Sequence, residues 1–139
     1  MRDELRARCS RIEECYEFML AYAAQGLPGD RGSQSGSELR TFLGRCDEAL
    51  TGLARVFSQI VEAERLQPAD RYHAFIAVLD RDARDAQAAV QLVLAQPSIS
   101  SQLIDNLNAS IHLRALLTDL FLIDEIVRPH DAASPTRSA

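Results

Sequence analysis

Carboxylates spaced along helices are the raw material of metal centres, and this chain has 20 acidic residues with which to build one. A di-iron bundle needs inward-pointing carboxylates together with two Glu-x-x-His motifs. Here Glu13, Glu14 and Glu17 flank an apolar seam without entering it, and Asp47 and Glu48 flank another. The acidic-x-x-His spacing from Asp70 to His73 falls at a predicted helix start, where Asp70 suits a cap. No metal and no cofactor is expected on these grounds. Cys9, Cys15 and Cys46 form no CxxC pair, and their odd number points to reduced thiols in the cytoplasm. Cys9 and Cys46 fall on seams, where a free Cys acts as a small hydrophobe, and Cys15 sits beside one. No Ser-His-Asp or Cys-His arrangement follows from spacing, and residues 26–36 match no phosphate-binding loop.

His112 is the single residue best suited to chemistry. At 100° per residue it shares a helix face with Asp105, Asn108 and Asp119, opposite Leu103, Leu107 and Ile111, so it is predicted to be exposed. An exposed His midway along a bundle helix resembles a histidine phosphotransfer domain, whose His accepts a phosphoryl group from an aspartate. The resemblance implies a phosphoacceptor role for His112. That family carries Lys three residues after the His and Gly four after it; here Ala115 and Leu116 stand there, and Arg114 comes one residue early. The stretch Ser37-Glu38-Leu39-Arg40-Thr41-Phe42-Leu43 resembles the phosphoacceptor box of sensor histidine kinases, Ser-His-Glu-Leu-Arg-Thr-Pro-Leu. Ser37 stands at its His position and Phe42 at its Pro position, so this match lacks the acceptor.

The elements that must hold these residues are helices. The chain has no Trp and only 6% aromatic residues, which disfavours sheet. Leu5, Cys9, Ile12, Tyr16, Met19 and Ala23 step 4, 3, 4, 3, 4 along a first helix over about 3–25. Gly26, Leu27, Pro28 and Gly29 stop it, and the Gly- and Ser-rich stretch 26–36 reads as a mobile linker. Ser37 is placed to cap a second helix running to about Leu66, with a coiled-coil-like seam of Leu39, Leu43, Cys46, Leu50, Leu53, Phe57 and Ile60. A third helix carries Tyr72, Ile76, Leu79, Ala83, Ala86, Val90 and Val93. A fourth runs over about 100–127, and Pro129 closes it, leaving 129–139 as a disordered tail.

These patterns predict an all-α, antiparallel four-helix bundle forming one domain over 1–128. Leu43, Leu50, Leu53, Phe57, Ile76, Leu79 and Val90 are its expected core. The fourth helix is apolar around most of its circumference from Leu113 onward. That surplus predicts a homodimer whose interface includes Leu113, Leu116, Leu117, Leu120, Phe121, Ile123 and Val127.

A net charge of -5 argues against a nucleic-acid partner. All 15 basic residues are Arg, which reads as codon bias, as in a GC-rich bacterial genome. No run of residues is apolar for the roughly 18 positions of a membrane span, and the N-terminus has no secretory pattern. The expected function is that of a non-catalytic helical protein acting through protein contacts, as an adaptor, regulatory or chaperone-like subunit. The alternatives are a phosphotransfer module using His112 and, behind it, a bundle enzyme or sensor holding a small ligand between helices.

Overall fold

A computed structural model describes the backbone of residues 1–136 and the side chains of residues 1–127. Among the described residues the chain is all-helical: α1 (Arg2–Ala24), α2 (Gln34–Leu50), α3 (Leu53–Ala63), α4 (Ala69–Leu94), α5 (Ser101–Ala109) and α6 (Ile111–Thr136). No helix among them is long and apolar enough to cross a membrane.

Two of the four expected helices are therefore broken. The second divides at Thr51 and Gly52, where Gly52 takes φ 73°, a left-handed conformation that glycine adopts without a Cβ clash. Arg8 of α1 donates to the carbonyls of Ala49 and Thr51, which the break leaves without helical partners. The fourth divides at Ser110, which is extended and whose hydroxyl accepts the Leu113 N–H at 3.3 Å to start α6. Neither break disturbs the apolar phase: all seven seam residues from Leu39 to Ile60 are buried. At its far end α6 continues past Pro129, where the sequence places its end. The last part of the expected tail, 137–139, lies outside the described residues.

α1 packs against α2 and α5, while α4 packs against α2, α3 and α6. Phe18 stacks on Phe42 with ring centroids 4.6 Å apart, and Cys15 meets Cys46, so α1 and α2 run antiparallel. Of the expected core, Leu43, Leu50, Leu53, Phe57, Leu79 and Val90 are buried, whereas Ile76 is half-buried at the margin. The seam of α1 is displaced from the expected one. Ile12, Cys15, Met19 and Tyr22 are buried, while Cys9, Tyr16 and Ala23 are only partly so. This helix faces neighbours on two sides, and the Tyr22 hydroxyl donates to the Ile99 carbonyl at 2.7 Å, beside α5.

The connection between α1 and α2 is fastened, where its Gly and Ser content suggests a slack tether. Asp30 is buried and accepts the Ile99 N–H at 2.6 Å and Arg40 Nε at 2.6 Å. Arg40 also donates to the Leu94 and Gln96 carbonyls. Leu27 and Ser101 exchange two bonds, each 2.9 Å, one of them through the Ser101 hydroxyl. The cap of α2 is Ser33, not Ser37: its hydroxyl accepts the Gly36 N–H at 3.0 Å. Gly36 is required there, because a Cβ would collide with the Asp30 carbonyl oxygen. Asp70 likewise caps nothing; it lies in the first turn of α4, which begins after Pro68.

Candidate functional site

Six of the seven residues expected at a subunit interface lie inside the chain's own core. Leu113, Leu116, Leu117, Leu120, Ile123 and Val127 are buried, and of the seven only Phe121 is exposed, at 60%. The neighbours that cover them belong to the same chain: α4 packs along α6, and residues of α1 and α3 approach it beside the grooves. Among its described side chains α6 turns outward Phe121 and three residues outside the expected set, Ile111, Leu122 and Ile126.

Two grooves flank this outward face. Between α1 and α6 lies one of about 480 Å³, lined by Leu5, Leu120, Phe121 and the carboxylates Glu13 and Asp124. Burial, then Asp124 and Glu17, raise the Glu13 carboxyl above its ordinary range. Cys9 lines the same groove; burial, then Glu13 and Asp124, push its thiol up to about 12. It stays protonated near neutral pH and is a poor nucleophile. The Cys15 thiol is raised as well, by its hydrogen bond with Cys46 and by burial.

On the other side, a groove of about 330 Å³ is walled by Phe57, Tyr72, Phe75, Ile123 and Ile126 and bordered by Arg71. Phe57 and Tyr72 meet edge to face at 6.3 Å. Ile126 lies near Phe75 and Asp119 lies beside Asp82, so α4 and α6 run antiparallel here. Asp119 is 6% exposed, and its Oδ2 is buried with no hydrogen-bond partner. Burial, then the neighbouring Asp82 carboxyl, push the Asp119 carboxyl up to about 7. The proton so retained supplies the donor that two facing carboxylates lack.

This pair has a consequence for stability. Unfolded, Asp119 ionises near its ordinary value of 3.8; folded, it keeps its proton to about 7. Folding takes up a proton between those values, so stability is greatest at low pH within that window and falls as pH rises through 7. Asp119→Asn, which stays neutral, should therefore stabilise the dilute protein by about 1–3 kcal/mol near pH 8 and change little near pH 4. Urea unfolding at the two pH values checks it. Equal effects at both would remove the shared proton.

His112 is exposed, in the first turn of α6. Asn108 lies on α5, across the break at Ser110 that ends the continuous helix the shared face assumed, and it is buried. Asp119 keeps its place seven residues along α6 from His112, but it too is buried. Both side-chain polar atoms of Asn108 are buried without partners. Asp70 and His73 are both exposed, and no group of three or more His, Cys, Asp or Glu gathers as a metal site among the described residues. The Asp82–Asp119 pair escapes sequence reading because its members are far apart in the chain. The one available hint is an Asp at position 119, on a nearly all-apolar stretch.

No protein-family model matches the chain, nor does any curated protein or solved structure.

Proposed function

We propose that this protein is non-catalytic and works through protein–protein contacts, as an adaptor, regulatory or chaperone-like subunit, with the outward face of α6 and the adjoining face of α4 as its contact surface. The observation that carries this reading is the trio Phe121, Leu122 and Ile126. Their exposures of 60%, 48% and 48% fall within six residues of a helix whose inner face is buried from Leu113 to Val127. Single exposed apolar side chains are ordinary; three within two turns, beside two grooves, favour an interaction site. The reactive groups nearest the surface give the reading indirect support, since the Cys9 thiol is suppressed by its surroundings.

Photo-crosslinking in the source cell tests it. A photoreactive residue at Phe121 or Leu122 should yield adducts with protein, whereas one at Arg84, exposed on another side of α4, should not. Failure of both α6 positions to exceed the Arg84 control would overturn the proposal.

A further inference from the structure

We infer that one partner of this surface is a second copy of the same chain, docked about a two-fold axis so that Arg71 of each copy meets the Asp82–Asp119 pair of the other. The inference rests on the protein-contact reading and names its partner. Arg71, Phe75, Val78 and Asp82 follow one another on α4 at steps of 4, 3 and 4. At 3.6 residues per turn they fall within a stripe about 60° wide, with the two charges roughly 16 Å apart along the axis. A cation stands at one end, an acid at the other, and two apolar side chains lie between. The antiparallel α6 extends the pattern, with Ile126 near Phe75 and Asp119 beside Asp82.

Such an order is self-complementary. A half-turn about its midpoint brings Arg71 onto Asp82 and Phe75 onto Val78, which is the condition for an isologous interface. An unrelated partner would need no such symmetry; the palindromic order of charge and apolar residues selects a second copy. Each end also lacks what the other supplies. Arg71 is exposed and makes no side-chain hydrogen bond or ion pair with a described residue. Asp82 is half-buried and makes no ion pair with a described residue. A guanidinium offers five N–H donors in a planar fork that fits a carboxylate. Between the ends, Val78, Leu122 and Ile126 are exposed, and docking removes them from water.

Sedimentation of the full chain at micromolar concentration, with charge-reversed variants, tests the inference. The wild type should show twice the chain mass. Arg71→Glu and Asp82→Arg each replace two attractions by two repulsions and should weaken association roughly a hundredfold or more. An equimolar mixture of these two variants should recover a dimer, since each substituted residue then faces the opposite charge. A monomeric wild type overturns the inference, as does either variant dimerising like the wild type, or a mixture that stays monomeric while both variants keep wild-type helicity. If Asp82→Arg does not fold, Arg71→Glu and Val78→Asp, both at exposed positions, decide alone. A monomeric wild type that still forms α6 adducts with other proteins removes the second copy and leaves the contact function standing. Loss of the adducts removes both.

Discussion

Asp30→Ala is expected to destabilise the fold by about 2–4 kcal/mol, somewhat less than the loss of one member of a fully buried charge pair because the Arg40 side chain is 33% exposed. Asp30 is 7% exposed and serves partners from two distant parts of the chain. Its carboxylate receives Arg40 Nε at 2.6 Å and the Ile99 N–H at 2.6 Å. Truncation leaves the Arg40 charge without its counter-ion and the buried Ile99 amide without an acceptor, and each loss carries a desolvation cost. The Arg40 hydrogen bond, with a lesser contribution from the Ile99 N–H, outweighs burial and holds the Asp30 carboxyl below its ordinary range. The stabilisation is therefore complete above the ordinary carboxylate pKa and is lost as pH falls through the lower folded one. The deficit of the variant should shrink in acid accordingly. Asp30→Asn keeps an acceptor for Ile99 and should cost less than the Ala variant. Urea unfolding measures all three, and a loss under about 1 kcal/mol would mean that the α1–α2 connection is not fastened through this residue.

Phe57→Ala should cost about 3–5 kcal/mol, as deletion of a buried aromatic ring does when its surroundings cannot collapse. Phe57 is 2% exposed, lies on α3 and meets Tyr72 of α4 edge to face. It also walls the groove below Ile126. The variant should lose thermal stability and deepen that groove, so that association through the α4–α6 face weakens too. Thermal unfolding gives the first effect and sedimentation the second. A variant as stable as the wild type would place the α3 seam outside the core.

The two expected losses fall on residues that the sequence treats very differently. Phe57 belongs to the seam from Leu39 to Ile60, all of which is buried as the 4, 3 spacing requires. Asp30 sits in a Gly- and Ser-rich stretch whose composition suggests freedom, and nothing local marks it as a hub. Its partners are Arg40 and Ile99, 10 and 69 residues away, and only folding brings the second into reach. The interface expectation shows the same limit. Leu113, Leu116 and Leu117 are apolar on several sides of one helix, and a pattern cannot say whether neighbours of the same chain or of another cover them.

Periodicity in this sequence determined that the chain is helical, where α1 begins and ends to within a few residues, and which seams are apolar. Those are local properties, fixed by steps of three and four residues. Tertiary structure alone decided where two long helices break. The break at Gly52 keeps Leu50 and Leu53 three residues apart and both buried, so the periodic signal runs across it unchanged. Tertiary structure also decided that most of the apolar surplus of α6 is covered from within, and that Asp119 meets Asp82. A helical pattern reports which face avoids water; what covers that face, and which distant charge lies beside it, depends on how separate helices pack.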